Sequence, residues 1–224
     1  MPSGWRTAFA GIVLAGLAGL LLAAMVDRRD LAFTLGVPPV QVAAVVPPGH
    51  TACQAPIDVP ADGDRVQFRV GTFGRPGPAL MVGVRDVTSG ARVATAGVRG
   101  GFQDNSDVTA SAGVQEGSRV AVCVRNSGAG RVALYGGTEM AARTSELRVD
   151  GRRTGTDMTL RFERGEARST ASLVPEILER AALFKAGWAS SALLWALAGI
   201  VLAGVPALLA LAISQARDAR DLSE

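Results

Sequence analysis

Apolar positions along this chain follow two unlike patterns. Each end carries an uninterrupted apolar run, residues 8–26 and residues 189–213. Between them, apolar and polar residues alternate in short stretches separated by Gly, Pro, Asn and Asp. An uncharged run of about 18 residues or more can cross a ~30 Å hydrocarbon core as a helix. Both runs are therefore expected to be transmembrane helices. Pro206 inside the second is tolerated in a membrane helix. Lys185 and Trp188 at its start suit the headgroup zone, where cationic and amphipathic aromatic side chains concentrate. The first run is longer than the about 7–15 residues of a signal-peptide core. It fits an uncleaved signal anchor better than a cleaved leader ending at Ala23-Ala24-Met25-Val26.

The central region has a period of two. Val66, Phe68 and Val70 alternate with Arg65, Gln67 and Arg69, giving one apolar and one polar face. Val40, Val42, Ala44 and Val46 share one parity, as do Leu80, Val82 and Val84, and Val120, Val122 and Val124. Further strands are expected around Ile57 and Val59, Val93 to Val98, Val108 and Ala110, Val132 and Leu134, Leu147 and Val149, and Met158, Leu160 and Phe162. Pro47-Pro48-Gly49, Gly74-Arg75-Pro76-Gly77-Pro78, Asn126-Ser127-Gly128 and Asp150-Gly151 read as turns. About nine short strands at a spacing of about 8–12 residues predict an all-β domain. The expected fold is mainly β, a β-sandwich of jelly-roll type flanked by two transmembrane helices. A helical stripe returns only at Leu173, Val174, Ile177, Leu178 and Ala181. It predicts a short amphipathic helix with Pro175 in its first turn, lying along the membrane surface or packed on the sandwich.

The expected layout is a cytoplasmic N-terminus (1–7), a span (8–26), an extracytoplasmic β-sandwich (31–168), a juxtamembrane amphipathic helix (173–187), a second span (189–213) and a cytoplasmic tail (214–224). Arg6, Arg217 and Arg220 favour cytoplasmic termini. Arg28 and Arg29 oppose that orientation, but long loops translocate largely regardless of charge. The only cysteines, Cys53 and Cys123, lie in the central domain, and an exported pair of this kind predicts one disulfide. Parity places Cys123 on the face opposite Val122 and Val124.

Composition removes several function classes. Residues 31–187 hold 18 basic and 15 acidic residues with no basic cluster, so no nucleic-acid partner is expected. His50 is the only histidine and stands in a turn. Without a nucleophile beside a base, nucleophilic catalysis has no basis in the sequence. The aspartates sit mostly in turns and no pair stands out for glycoside hydrolysis. The chain reads as a non-enzymatic protein with no cofactor. Asp104, Asn105 and Asp107 crowd oxygen ligands as calcium sites do, but the full loop motif is missing, and no metal is expected.

Candidate binding residues are the aromatics Phe73, Phe102 and Tyr135, which lie at strand ends or on the less apolar parity. Arg69, Arg85, Arg99 and Arg125 could hydrogen-bond polyol or anionic groups. In the apolar runs, small residues recur at Gly11, Ala15, Gly19 and Ala23, and at Ala192, Ala196, Gly199 and Ala203. That spacing permits close helix–helix approach, within the chain or with a membrane-protein partner.

Cys53-Gln54-Ala55-Pro56-Ile57, the 66–78 stretch ending in Gly74-Arg75-Pro76-Gly77-Pro78, and Val122-Cys123-Val124-Arg125-Asn126 resemble a group of two-span envelope membrane proteins of high-GC Gram-positive bacteria with a galactose-binding-like ectodomain. The resemblance covers nearly the whole chain and assigns no site residue. It implies association with cell-surface glycan or with glycosyl-transfer machinery. Two functions are thus expected: a membrane-anchored envelope protein whose sandwich binds a surface glycan or polymer, or an accessory subunit of a membrane complex held by its helices.

Overall fold

A computed structural model describes residues 4–138, 145–183 and 190–221. Lys185, Trp188, Ala189 and the 184–187 end of the expected juxtamembrane helix lie outside the described residues, as do the first three and last three positions. The chain divides into two compact units, Asp30–Ala167 and the combination of Met1–Arg29 with Arg168–Glu224.

Thirteen strands are present among the described residues. In chain order they are β1 (Arg28–Thr34), β2 (Gln41–Val46), β3 (Thr51–Asp58), β4 (Arg65–Gly71), β5 (Leu80–Asp86), β6 (Arg92–Val98) and β7 (Ser106–Ala110). They continue with β8 (Arg119–Asn126), β9 (Val132–Gly137), β10 (Glu146–Val149), β11 (Arg152–Arg153), β12 (Asp157–Met158) and β13 (Leu160–Ser169). They form two antiparallel sheets. One has the order β1-β13-β4-β9-β12, with β2 also on β9 and β7 on β4. The other runs β11-β10-β3-β8-β5-β6.

One buried cluster draws on both sheets. Val66, Phe68, Val70, Leu134, Leu160 and Phe162 come from the seven-stranded sheet, and Ile57, Val82, Val84, Val122 and Val124 from the six-stranded one. The domain is therefore mainly β and sandwich-like, with alternate residues turned inward along the central strands β4, β5 and β8, as period-two patterning requires.

The detail departs from expectation in several places. Val40, Val42, Ala44 and Val46 do not share a face: a register shift between Val42 and Ala44 leaves Val42 exposed and buries Ala43 and Ala44 together. A bulge opposes two residues to one and so breaks strict parity. β3 is longer than the Ile57 stretch and contains Cys53. Met158 belongs to β12, paired with β9, whereas Leu160 and Phe162 belong to β13, paired with β4. β1 was not expected, because Arg28, Arg29 and Asp30 are exposed and only the adjacent Ala32 and Phe33 are buried, which leaves no alternation to read. Charges of this kind on an edge strand discourage pairing with another chain.

Two buried amides link the sheets. Gln54 of β3 donates from Nε2 to Ser145 Oγ and Asp157 Oδ1, and its Oε1 accepts the Met158 N–H. Asn126, at the end of β8, donates to the Val46 and Gly130 carbonyls at 2.9 and 2.6 Å and accepts from the Gly128 N–H. Asn126→Leu would remove the side-chain donor to the buried Val46 carbonyl and both half-buried bonds to the following turn. The expected cost is about 2–3 kcal/mol, measured as a lower thermal midpoint of the β signal. An unchanged midpoint would show that water replaces the amide.

The other unit contains α1 (Gly4–Val26), α2 (Thr170–Leu183) and α3 (Ser191–Asp221). Ala8–Val26 and Ala192–Gln215 each have a mean hydropathy of 2.5 and none of their length is buried within the protein. These two terminal helices are long and apolar enough to cross a membrane, with Ile12, Leu20 and Leu208 about two-thirds exposed. Cβ atoms added at Gly11, Gly16, Gly19 or Gly199 would meet nothing within 4 Å.

α2 starts earlier than expected. Ser169 caps it, its Oγ accepting the Ser172 N–H at 3.3 Å. Asp27, just past α1, accepts from both the Thr170 N–H and the Thr170 hydroxyl, each at 2.8 Å. Pro175 therefore stands inside the helix and not in its first turn. Leu173 is buried while Ile177 is exposed.

Candidate binding site

The outer face of the six-stranded sheet carries a groove. Antiparallel register aligns Cys53 of β3, Cys123 of β8, Gly83 of β5 and Thr95 of β6 in one row across four strands. Neighbouring strands are about 4.8 Å apart, so the row spans about 14 Å. Every side chain in it is short, and a Cβ added at Gly83 would meet nothing within 4 Å. Cys53 and Cys123 are directly opposed, with Cα atoms 4.0 Å apart, and are joined by a disulfide. The close, non-hydrogen-bonded positions of an antiparallel pair bring two residues this near. Cys123 thus lies on the face opposite Val122 and Val124, as its parity requires.

Longer side chains flank this floor. On one side Arg125 of β8 pairs with Thr51 of β3 and with Met81 of β5. On the other Arg85 of β5 stands opposite Arg92 of β6. Together these residues enclose a depression of about 330 Å³, within the size range of small ligand sites. Met81 is exposed and supplies an apolar contact beside the cations.

The electrostatics of the face are uneven. Arg119 pairs with Asp58 at 3.3 Å. Arg148 of β10 and Arg153 of β11 are also opposed, and the Glu146 carboxylate meets both at 3.0 Å. Arg85, Arg92 and Arg125 form no ion pair with an acidic side chain among the described residues, and no acid lines their groove. Like charges directly opposed across strands are destabilising. Asp86, next to Arg85, is engaged by the Ser89 N–H and hydroxyl in the following turn.

The aromatic candidates lie elsewhere. Phe73 is exposed, with a left-handed φ of 57°, and Arg131 sits over its ring at 4.4 Å. Phe102 packs against the core, and a Cβ at Gly77 would be driven into its ring. Tyr135 of β9 lies over Gly71, where an added Cβ would be 3.0 Å from the phenol ring. The loops carrying Phe73 and Phe102 meet at Asp104, but neither ring nor Tyr135 lines the arginine groove. Tyr135 covers Gly71 and Phe73 stacks with Arg131, whereas Phe102 also lines a separate depression of about 290 Å³ with Arg75 and Asp104.

Of the calcium candidates, Asp104 and Asn105 have structural bonding. Asp104 Oδ1 accepts from the Thr72 and Asn105 N–H groups and Oδ2 from that of Gly74. The Asn105 Oδ1 accepts from Arg69 at 3.0 Å, and Asp107 lies opposite Arg69 on β7. The side-chain oxygens of Asp104 and Asn105 thus already accept protein N–H groups. Among the described residues no group of three or more His, Cys, Asp or Glu is placed to hold a metal.

Three carboxylates at turns and strand ends are held below the ordinary aspartate range by hydrogen bonding. Asp104 is lowered chiefly by the Thr72 N–H, Asp86 by the Ser89 N–H and Asp150 by the His50 side chain. A depressed folded-state pKa contributes stability above the unfolded value of about 3.9, and that contribution is lost as pH falls through the folded values. The melting temperature of the β domain should hold near neutral pH and decline below about pH 4. Asp104→Asn should make that acid limb shallower, as read by melting curves between neutral and strongly acidic pH. An equally steep limb in the variant would assign it to other carboxylates.

Sequence parity supplies Arg85 and Arg125 but not the site. Arg92, Met81, Gly83 and Thr95 were not singled out, since only cross-strand register brings them together. Arg69 belongs to the other sheet, and Arg99 stands just past the end of β6. No protein-family model matches this chain, and no curated protein matches it.

Proposed function

We propose that this is a membrane-anchored, non-enzymatic envelope protein. Its β domain, a sandwich of jelly-roll type on the extracytoplasmic side, binds a cell-surface glycan or polymer beside glycosyl-transfer machinery. Both termini are cytoplasmic. The observation that carries the binding role is the groove on the six-stranded sheet, with its floor of short side chains and its arginine walls. A disulfide in this domain suits an oxidising compartment.

Full-length protein in nanodiscs should bind isolated envelope polymer. Gly83→Phe should abolish that binding while leaving the melting temperature unchanged, because open space lies above Gly83. The reading fails if no polymer binds, or if Gly83→Phe binds as well as the parent.

A second reading rests on a separate observation. The small-residue seam at Gly11, Gly19 and Gly199 faces open space within this chain. That suits an accessory subunit packed against another membrane protein. Crosslinking in native membranes should then recover a constant partner, and Gly19→Leu should release it. Recovery of uncrosslinked monomer alone would remove this reading.

A further inference from the structure

Two pairs of opposed arginines stand on the outer face of the six-stranded sheet, and the protein treats them differently. At Arg148 and Arg153 it supplies its own oxyanion, the Glu146 carboxylate, which meets both guanidinium groups at 3.0 Å. At Arg85 and Arg92 it supplies none, and Arg125 adds a third cation across the groove. The arrangement at Glu146 shows what such a pair engages in this sheet, a carboxylate oxygen shared between two guanidinium groups.

We infer that the Arg85–Arg92–Arg125 groove takes a linear polymer bearing an oxyanion, carboxylate or phosphodiester, on its repeating units, laid across the strands along the Cys53–Cys123–Gly83–Thr95 row. This rests on the polymer-binding reading above and specifies its ligand class. Guanidinium forks match planar carboxylate and phosphate oxygens bidentately. The row sets the direction of the chain, since across these four strands the floor is free of long side chains, as far as Arg148 of β10, which stands opposite Cys53 and ends the row. Residues two apart on a strand are about 6.6 Å apart, so the flanking rows lie about 13 Å from each other. That width admits one sugar or polyol strand, with Met81 against its apolar face. Two or three charges bind in concert, so a single free anion is a poor substitute for the polymer.

The test uses full-length protein in nanodiscs of zwitterionic lipid. The probes are polygalacturonate for carboxylate, poly(glycerol phosphate) for phosphodiester, and neutral dextran. At least one polyanion should bind and dextran should not. Affinity should fall at least tenfold as salt is raised severalfold, because exposed charges are screened. Arg85→Gln, Arg92→Gln and Arg125→Gln should each weaken binding about tenfold, as expected for loss of a charge-assisted pair. The triple variant should lose binding. Arg161→Gln, exposed on β13 of the other sheet, should bind like the parent. Which polyanion binds assigns the oxyanion.

Dextran binding as tightly as the polyanions, without salt dependence, would overturn the oxyanion inference and leave the glycan reading intact. Phosphatidylglycerol vesicles that bind the soluble face and displace the polymer would replace it with a lipid surface. Binding of no probe, charged or neutral, and of no envelope polymer would overturn both. Unchanged melting temperatures in the glutamine variants confirm that the fold is retained.

Discussion

Removing the Cys53–Cys123 crosslink should lower the melting temperature of the β domain by roughly 15 °C. The bridge closes a loop with a sequence separation of 70. In the chain-entropy treatment a loop of that length restricts the unfolded ensemble by about 4 kcal/mol. For a domain of this size each kcal/mol corresponds to roughly 3–5 °C. The effect acts on the unfolded chain. The row of short side chains persists in the Cys53→Ala/Cys123→Ala double variant, because β3 and β8 remain paired along their length. Polymer affinity measured well below the melting point should therefore stay within about twofold of the parent, a change of less than ~0.5 kcal/mol. Melting curves and binding isotherms on the same preparations check both halves. A melting temperature within a few degrees of the parent would mean that the chain without the crosslink keeps the two strands together when unfolded.

That separation between stability and binding reflects how the sheet is built. Inward parity fixes the core, and the outward parity of the same strands builds the groove. Val122 and Val124 are fully buried, whereas Cys123 and Arg125 between and beyond them face outward. This alternation is legible in the sequence, because a one-residue shift would turn every side chain over. Two classes of information are not legible there. One is local breaks in the period, such as the register shift that buries Ala43 beside Ala44 and the shift between Gln54 and Ile57. The other is strand order. Arg85 and Arg92 are seven positions apart, beside two consecutive expected strands, so their pairing was within reach. Arg125 joins them only because β5 lies between β6 and β8.

The aromatic residues show the converse limit. Phe73, Phe102 and Tyr135 stand out by parity, yet that signal cannot separate a ligand platform from a side chain covering a glycine. Gly71 and Gly77 supply the missing term, since each leaves space that a neighbouring ring fills. The helical ends behave similarly. The apolar runs were plain from composition. The start of α2 was not, because Ser169, Thr170 and Asp27 act through backbone hydrogen bonds that no apolar stripe records.

Truncating Phe162 should cost about as much as losing the disulfide, but through the folded state. Phe162 is fully buried on β13, and its ring stacks on Phe33 of β1 with centroids 4.2 Å apart and planes 7° from parallel. Its Cβ also lies 3.3 Å from where a Cβ at Gly63 would stand, so the Gly63 backbone packs close against it. Phe162→Ala removes the ring from a site closed by a backbone segment on one side, which limits collapse. The expected loss is about 3–5 kcal/mol. Phe33→Ala should cost less, because Phe33 keeps 7% of its surface exposed on an edge strand that can shift inward. Stacked rings contribute about 0.5–1.5 kcal/mol beyond their buried area. The Phe33→Ala/Phe162→Ala double variant should therefore be more stable than the sum of the two single losses implies, by about that amount. Denaturant melts of the four proteins give the coupling directly. Strict additivity would mean that β1 contributes area to the core but no specific contact, and that the strand leading out of the first apolar helix is held by its backbone alone.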